Sequence, residues 1–512
     1  MAARHELKLS PTSAPTSLDG IDTIPHIPYT TIHFNTANVH LATLYELLLA
    51  RQYDLHVASF HDRNLDRSLS FIVEHANAQI HAEDPTAPAE SVNRHAVCGV
   101  SMQIVHPDPR TQAHSPRFRS FRKHFAPTFE HLLNHQSPEA YADSVQNVVE
   151  IIKDVRPAVA VVDSLFWQGI DAVRLAKQAY VVLWPNFLKE CVGGMCPKKR
   201  TAWKLPCSSG TGYAYPVPWR LKPANLLVFL SFVSAIYTSP KRKLMDKRRR
   251  AMGLKGPHPI LDLNGAPQIT PCLPALDYPC SFDESLITNC GPIIFPSSIK
   301  PDDPLLVWIK RAPTVLINLG THCNFYDEHA VEVMKGIKTV VDELPDVQVL
   351  WKWKEVARSA PLVEECLPVD EYGERVKIVK WLENSPMDLL NTGDIVCNVH
   401  HGGANSFYEA VWAGVPHVIL PKWFDNYDMA ARAEYLNVGI WASRRTAPNE
   451  NAEELAAATL AVLRDSPRAT AMRDSCRKYA DIAKRSGGRR QAADKIGEYA
   501  RAYEAQASKE TL

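Results

Sequence analysis

The stretch that decides the fold is Asp394-Ile395-Val396-Cys397-Asn398-Val399, followed directly by His400-His401-Gly402-Gly403-Ala404-Asn405-Ser406. The apolar first part predicts a buried β-strand, and the residues from about Phe407 to Ala413 predict a helix. A strand-to-helix turn gathers free backbone N–H groups and the positive end of the helix dipole at one point. Glycines in such a turn let the backbone approach a phosphate closely. The stretch therefore predicts an α/β fold with a phosphate-binding turn.

Polar side chains in and after this turn add hydrogen-bonding groups. His401 can donate to a phosphate oxygen, and Asn405 and Ser406 add donors on the first helical turn. Glu409 follows one turn later, where its carboxylate can accept from a ribose hydroxyl, as carboxylates do in dinucleotide folds. A glycine pair alone is weak evidence, so its surroundings decide the interpretation.

The flanking segments strengthen a nucleotide interpretation. Trp381 comes just after a predicted strand, where an indole can stack on a flat base. Asp425 and Asn426 follow the predicted strand from Val415 to Leu420, and ligands bind at the carboxyl ends of strands in open α/β sheets. An acid beside an amide suits vicinal sugar hydroxyls, since the pair can both accept and donate. Together these segments predict a nucleotide-sugar site between Trp381 and Asn426.

The remainder of the chain predicts two β/α halves. A β-α-β start is expected from the strand Tyr29–Phe34, the helix Val39–Ala50 and the strand Leu55–Phe60. The alternation restarts after a proline-rich region, at the strand Thr314–Leu319. We therefore expect four segments in chain order: a disordered lead-in (1–22), an N-terminal acceptor-binding domain (23–295), a linker (296–312) and a C-terminal donor-binding domain with a helical tail (313–512).

Composition excludes one class of partner and favours one compartment. Lysine plus arginine number 57 and aspartate plus glutamate 56, so a basic field that would attract nucleic acid is absent. The eleven cysteines are odd in number and contain no Cys-x-x-Cys pair, which favours free thiols in a reducing, cytoplasmic compartment. The alternative is a disulfide framework in a secreted chain, but the first residues lack the apolar core of a signal peptide.

The most apolar stretch is Leu226 to Tyr237, and it precedes the basic residues of the segment 241–250. One interpretation is a buried helix with a solvated basic end, since short apolar runs usually belong to a core. The other is a peripheral contact of residues 226–250 with an internal membrane that contains a lipophilic acceptor.

The motifs resemble the donor-binding signature of the family 1 UDP-glycosyltransferases. The resemblance rests on Trp381-Leu382-Glu383-Asn384, His401–Ser406 with Glu409-Ala410, Gly414-Val415-Pro416, and Asp425-Asn426. From about Tyr29 onward the chain is similar to the filamentous-fungal branch of that family. The further segments that carry this similarity are Ala37–Thr43, Val161-Val162-Asp163, Tyr215–Trp219 and Asn318–Thr321.

The resemblance implies a GT-B fold, in which two Rossmann-like domains face each other across a cleft. It implies an inverting enzyme that moves a hexose, with glucose expected, from a UDP-sugar to a hydroxyl of a lipophilic metabolite. The UDP-sugar is a co-substrate, and neither a metal nor another cofactor is expected. The acceptor would lie in the N-terminal half, shaped by the aromatic segment Trp203–Trp219 and by Phe166-Trp167. We expect a monomer.

The resemblance also assigns roles to single residues. Trp381 would stack on uracil, Asn384 stands where a glutamine usually lies near the ribose, and Glu409 would hold the ribose. The diphosphate would be held by the side chains and backbone of five residues: Thr321, His401, Gly403, Asn405 and Ser406. Asp425 and Asn426 would bind the sugar. Asn426 replaces the usual glutamine with a shorter side chain, which leaves the identity of the sugar open.

The catalytic base is the point at which the sequence departs from the family pattern. Inverting transfer needs a group that takes the acceptor's proton, and histidine paired with a carboxylate suits this role. Asp163 matches the family's aspartate, but the family's histidine falls on Thr36, whose hydroxyl is not basic. His40, about one helical turn later, is the candidate for a displaced base, and His33 on the strand is a weaker one.

Three interpretations therefore stay open at this point. His40 acts as the base, or another group or an acidic acceptor replaces it, or the chain binds nucleotide sugars with little or no turnover. A further alternative within the enzymes is transfer to a sterol or lipid at a membrane face, which the segment 226–250 motivates.

Overall fold

The computed structural model describes most of the chain. The described residues are 26–30, 37–61, 63–99, 136–191, 204–206, 210–259, 263, 265–280, 282–297, 299, 302–320 and 327–511. The lead-in 1–22 and the predicted site residues Thr36 and Thr321 lie outside them, as do His33 and Trp203.

The N-terminal half is built on a parallel sheet with the strand order β3-β2-β1-β4-β5-β6-β7. Its described strands are β1 (His26–Thr30), β2 (Asp54–Phe60), β3 (Val92–Val97), β4 (Ala160–Asp163), β5 (Tyr180–Leu183), β6 (Gln268–Thr270) and β7 (Ile287–Asn289). The described helices are α1 (Ala37–Ala50), α2 (Arg63–Glu83), α3 (Pro138–Val155), α4 (Trp167–Ala176), α5 (Leu188–Cys191), α6 (Lys222–Thr238) and α7 (Pro240–Ala251). Short 3₁₀ turns span Trp219–Leu221 and Pro274–Leu276.

The C-terminal half repeats the architecture with the strand order β10-β9-β8-β11-β12-β13, again all parallel. The described strands are β8 (Thr314–Asn318), β9 (Gln348–Lys352), β10 (Val376–Val379), β11 (Ile395–His400), β12 (His417–Ile419) and β13 (Gly439–Trp441). The described helices are α8 (Pro304–Ile309), α9 (Asp327–Glu343), α10 (Ala360–Cys366), α11 (Val369–Tyr372), α12 (Pro386–Leu390), α13 (Ala404–Ala413), α14 (Phe424–Tyr435), α15 (Ala452–Leu463), α16 (Pro467–Lys484) and α17 (Gly488–Thr511).

Both sheets reverse their strand order once, between β1 and β4 in the first and between β8 and β11 in the second. Ligands of open α/β sheets bind outside the carboxyl ends of the strands at such a switch point. In the first sheet, α1 follows β1 there and Asp163 ends β4. In the second, the turn His401-Gly402-Gly403 follows β11. The topology therefore predicts one candidate ligand-binding position in each half, at the switch point of its sheet.

The domain boundaries differ from the expected ones at two places. The expected linker contains α8, whose Leu306 and Ile309 are buried in one cluster with Leu316 of β8. The expected C-terminal tail ends in α17, whose Ala492 and Ile496 are buried in the N-terminal core that α1 also contributes to. The small apolar residues of α17 recur every four residues, so a chiefly polar sequence still presents one apolar stripe. The tail helix α17 thus packs against the N-terminal domain and forms part of its core.

The apolar stretch singled out in the sequence forms α6, and the basic run after it forms α7. Val228 of α6 is fully buried, whereas half of the surface of Leu227 and Leu230 is open to solvent. The helix is therefore buried on one side only. Within the described residues, no helix combines the length and apolar character needed to cross a membrane.

Candidate functional site

The glycine turn connects β11 to α13 as the sequence predicts. Gly403 is the N-cap of α13, and within the described residues no side chain caps it, so the positive end of the helix dipole lies at the turn. Gly402 adopts a positive φ of 88°, and a Cβ built on it would lie 2.9 Å from the backbone oxygen of Asn426. Only glycine fits this position without strain. The close approach to Asn426 draws the start of α14 against the turn.

His401 lies at the junction of two strand ends. A Cβ built on Gly320 would lie 2.7 Å from Cε1 of His401, so the imidazole occupies the space that the glycine leaves empty. Gly320 follows β8, which is the neighbour of β11 in the sheet. The ring centroids of His401 and Trp423 are 6.1 Å apart. His401 is therefore wedged between the loop after β8 and the loop before α14, and it remains half-buried.

A buried pair of histidines, His400 and His417, forms a hydrogen bond with the backbone of the turn. The Gly402 N–H donates to Nδ1 of His400 over 3.1 Å, and Nε2 of His400 lies 2.9 Å from Nδ1 of His417. Because Nδ1 of His400 accepts a hydrogen bond, its proton is on Nε2 and is donated to His417. Burial lowers the pKa of His400 far below its usual value and lowers the pKa of His417 to about 3. The pair is neutral and fixes the direction of one backbone N–H of the turn.

Lys352 is a second contributor that the sequence did not reveal. It ends β9, is almost fully buried, and its Nζ donates to the Gly320 carbonyl over 3.1 Å. The same Nζ lies 4.5 Å from the centre of the Trp381 indole, which remains 55% exposed. Lys352 thus connects the candidate base-stacking residue with the loop against His401. The sequence did contain a sign of this role, because Lys352 lies at the end of the apolar segment Val347–Trp353. A lysine buried at such a position needs polar partners.

The first turns of α13 face a small cavity shared by the two halves. The cavity is lined by Asn38 and Val39 of α1 and by Asn405, Tyr408 and Glu409 of α13, with residues 271 and 293–295 completing the wall. Glu409 is half-buried. Burial raises the pKa of Glu409 to about 8, and the nearby Asp388 carboxylate acts in the same direction. Asn405 and Ser406 are both partly accessible on the first turn.

His40 of α1 and Asp163 at the end of β4 form a buried pair. Nε2 of His40 lies 2.8 Å from Oδ2 of Asp163, and both side chains are fully buried. The other carboxylate oxygen of Asp163 accepts from the Leu165 N–H over 2.7 Å, which fixes the carboxylate. The residues just before His40, Asn38 and Val39, line the cavity itself. The structure therefore brings together the histidine and the aspartate that the sequence proposed as a dyad.

Two predicted ligand contacts are instead directed at the protein. Asn384 is buried and its Nδ2 donates to the carboxylate of Asp303, the N-cap of α8. Asn426 is also buried and its Nδ2 donates to the Gly402 carbonyl over 3.3 Å. Asp425 is half-buried on the first turn of α14. The shorter amide of Asn426 thus braces the glycine turn, which leaves Asp425 as the more accessible member of the predicted sugar-binding pair.

The aromatic residues expected around the acceptor have other contacts. Phe166 and Trp167 are buried in the core of the N-terminal domain. Tyr215 stacks on Tyr278 with ring centroids 5.0 Å apart and meets the edge of Tyr435 at 5.4 Å. Tyr435 belongs to α14, so the described part of this aromatic loop joins the two domains. The aromatic composition of this segment suggested a lipophilic pocket. At Tyr215 the aromatic ring instead packs in the interface between the domains.

Known proteins with similar sequences share one enzyme class. A family model described as "Erythromycin biosynthesis protein CIII-like, C-terminal domain" matches residues 366–481. Glycosyltransferase sdnJ of Sordaria araneosa is 34% identical over 510 residues, which covers 91% of this chain and 96% of sdnJ. The 2-hydroxyacylsphingosine 1-beta-galactosyltransferase of Homo sapiens is 27% identical over 175 residues, covering 34% of this chain and 29% of that protein.

Solved structures share the fold across almost the whole chain. Phytolacca americana UGT2, complexed with UDP-2fluoro-glucose and pterostilbene, superposes with a TM-score of 0.60 at 16% identity, covering 94% of this chain and 100% of that chain. A UDP-glucosyltransferase from Polygonum tinctorium gives a TM-score of 0.59 at 15% identity, with coverages of 93% and 98%. The fold is therefore GT-B, a glycosyltransferase architecture. The chain belongs to the family 1 UDP-glycosyltransferases, in the branch that includes a filamentous-fungal glycosyltransferase.

Proposed function

We propose that the protein transfers glucose from UDP-glucose to a hydroxyl of a lipophilic small molecule, with inversion at the anomeric carbon. The observation that carries this proposal is the hydrogen bond between Asp163 and His40, which directly follows the cavity-lining residues Asn38 and Val39 in α1. A histidine held by a buried carboxylate is suited to remove a proton from an attacking hydroxyl.

The donor is proposed to lie across the carboxyl ends of β8 and β11. The α13 N-terminus and His401 would face the diphosphate, Glu409 the ribose and Trp381 the base. Backbone N–H groups and a helix dipole stabilise phosphate charge, so we propose binding without a metal ion. Glucose is favoured because one GT-B neighbour is a UDP-glucosyltransferase and another was solved with UDP-2fluoro-glucose. Asp425 is the residue we assign to the sugar hydroxyls.

The transfer itself is a single displacement in this proposal. The acceptor oxygen attacks the anomeric carbon while its proton passes to Nδ1 of His40, whose Nε2–H remains bonded to Asp163. The bond between the anomeric carbon and the UDP oxygen breaks, and UDP leaves with the electron pair. The α13 N-terminus and His401 stabilise the negative charge that develops on the diphosphate. Asp163 stabilises the imidazolium and holds the ring in the required tautomer.

A lipophilic acceptor is supported by the neighbours, one of which is capable of glucosylating indoxyl while another was solved with pterostilbene. The test measures UDP release from UDP-glucose, UDP-galactose and UDP-glucuronate with a panel of phenols and alcohols, and identifies products by mass spectrometry. Glucosylated product from a lipophilic acceptor is the expected result. Saturable UDP binding without release for any acceptor would instead identify a nucleotide-sugar-binding protein.

A further inference from the structure

The outer face of α6 carries an apolar stripe, which the exposed Ser234 interrupts. Leu226, Leu227, Leu230 and Tyr237 recur along this face, and they are 42%, 50%, 50% and 59% exposed. Residues spaced three, four or seven apart share one side of a helix. Scattered exposed leucines are normal on a protein surface, but four large apolar side chains grouped on one face of a helix indicate a contact site.

The next helix, α7, presents a basic face to solvent. Five basic side chains are exposed on it: Lys241, Lys243, Lys247, Arg248 and Arg250. None of the five forms an ion pair within the described part of the chain. Leu244, which is 57% exposed, lies among them. The acidic residue of the helix, Asp246, is half-buried and pairs with Arg242 over 3.2 Å, so the outward charge is uniformly positive.

Buried contacts fix the orientation of both helices. Arg249 of α7 forms two hydrogen bonds to the buried Asp171 carboxylate, of 2.6 and 2.8 Å. Met245 of α7 and Val228 of α6 are buried in one core cluster with Ile170 of α4. A bidentate arginine–carboxylate pair is strongly directional. These buried contacts fix the rotation of both helices about their axes. The apolar stripe and the basic face therefore point to solvent.

Aromatic residues stand at both ends of the apolar helix. Trp219, 74% exposed, precedes α6, and Tyr237 lies in its last turn. The Arg220 guanidinium lies 5.3 Å from the Trp219 ring centroid, and that of Arg242 lies 4.9 Å from the Tyr237 ring centroid. Tryptophan and tyrosine beside basic residues are typical of the boundary between lipid headgroups and acyl chains, because these rings have an apolar body and a polar end.

We propose that α6 and α7 form a docking surface for an anionic lipid bilayer. The leucines of α6 would enter the boundary of the acyl chains, while the basic residues of α7 would contact negatively charged headgroups. The combination of an apolar stripe with an adjacent patch of one charge favours a bilayer over a second copy of this chain. Two copies joined through this surface would bring their basic faces together, and like charges repel.

The experiment is flotation of the full chain with vesicles of phosphatidylcholine alone or of phosphatidylcholine with about one third phosphatidylserine. We expect the protein to float with the anionic vesicles and to remain behind with the neutral ones. The bound fraction should fall with rising salt, since charge attraction is screened. Attraction of one basic residue to an anionic surface corresponds to about fivefold in the partition coefficient, so the double variant Lys243→Glu, Lys247→Glu should bind at least tenfold more weakly.

A second variant, Leu227→Glu with Leu230→Glu, tests the apolar stripe and should lose flotation by a similar factor. Matched controls carry the same changes elsewhere: Val307→Glu with Val369→Glu for exposed apolar residues, and Lys478→Glu with Lys484→Glu for exposed lysines. The controls should float like the parent chain, and circular dichroism checks the fold of each variant.

Two outcomes would overturn the proposal. One is equal binding of the parent chain to neutral and anionic vesicles, or to neither. The other is a concentration-dependent dimer in light scattering that the Leu227→Glu, Leu230→Glu variant abolishes, which would assign the stripe to a second copy. Both measurements are made without substrate, so failure of the proposed transfer reaction leaves their meaning unchanged.

Discussion

Nε2 of His40 lies 2.8 Å from Oδ2 of Asp163, although the two residues are 123 positions apart in the chain. One belongs to the first helix and the other ends β4, and the sheet order places β1 and β4 side by side. Both side chains are closed off from solvent, so water does not compete for this hydrogen bond. A departure from the family's usual histidine position thus still yields a histidine–aspartate pair.

Asp163→Asn is the sharpest test of this pair. The variant keeps the shape of the side chain but removes the charge that stabilises the imidazolium and selects its tautomer. We expect kcat to fall by roughly a hundredfold to ten-thousandfold, within the range that a general base contributes. The dissociation constant of UDP, measured by calorimetry, should stay the same because the pair does not contact the donor's diphosphate in the proposed complex.

The matching variant His40→Ala should lower kcat by a similar factor, and the double variant should lose little more, because the pair acts as a unit. His61→Ala, which changes an exposed histidine, provides the control. Unchanged turnover in His40→Ala would remove His40 from the mechanism and leave another group or an acidic acceptor as the explanation.

The glycine turn is tested by His401→Ala. Loss of a hydrogen bond to a charged phosphate costs about 1.5–3 kcal/mol, so UDP should bind roughly tenfold to a hundredfold more weakly. The change is a truncation next to Gly320, which has no side chain, and folding should be preserved. Calorimetric titration with UDP measures the effect. Affinity equal to that of the parent chain would contradict the assignment of this turn to the diphosphate.

Removal of divalent metal should leave the reaction unchanged. The proposed site neutralises the diphosphate with the helix dipole and N–H groups of α13, which a chelator does not affect. We expect equal rates of UDP release after dialysis against EDTA and after re-addition of Mg²⁺ or Mn²⁺. A rate that falls on dialysis and recovers with one of these ions would show that the donor site needs a metal.

The β/α pattern was the part of the fold that the sequence predicted well. The predicted strand Leu55–Phe60 is observed as Asp54–Phe60, and the predicted strand Thr314–Leu319 as Thr314–Asn318. Runs of apolar residues bounded by turn residues carry this information locally. The docking of α17 on the first domain could not be predicted, because an apolar stripe indicates which face is buried but not which sheet buries it.

The turn between β11 and α13 was predicted from the sequence, whereas the direction of two amide side chains of the predicted site was not. The turn at Gly402 and Gly403 follows from sequence because glycine spacing between a strand and a helix has a local meaning. Asn384 and Asn426 were expected to face ligand, yet their amides bond to Asp303 and Gly402. An amide serves a ligand or the backbone equally well, so only the three-dimensional contacts decide between these roles.

The neutral histidine pair predicts a weakness at acid pH. Burial lowers the pKa of His417 to about 3, whereas an unfolded histidine has a pKa of about 6.5. The stabilisation is therefore complete above pH 6.5 and is lost as the pH falls from there toward 3, because the unfolded chain takes up the proton first. At pH 5 the loss from this one residue is about 2 kcal/mol.

His417→Asn removes the titrating group but keeps an acceptor for Nε2–H of His400. The free energy of unfolding should then drop by about 2 kcal/mol less between pH 7 and pH 5 than in the parent chain, measured by urea denaturation. His61→Asn alters an exposed histidine and should not change this pH dependence. An unaltered pH dependence in His417→Asn would mean that the pair is not kept neutral.

The ion pair between Lys189 and Asp428 predicts how strongly the two domains are joined. Nζ of Lys189 in α5 lies 2.7 Å from Oδ2 of Asp428 in α14, and both side chains are almost fully buried. Lys189→Met leaves a buried carboxylate without its cation, so the free energy of unfolding should fall by about 3–5 kcal/mol. Adding Asp428→Leu removes the stranded charge and should restore much of the loss, because two apolar residues often replace a buried pair at little cost. Lys495→Met breaks the exposed pair with Glu498 and should cost about 1 kcal/mol or less. If Lys189→Met were no more destabilising than this control, the pair would not contribute to the domain interface.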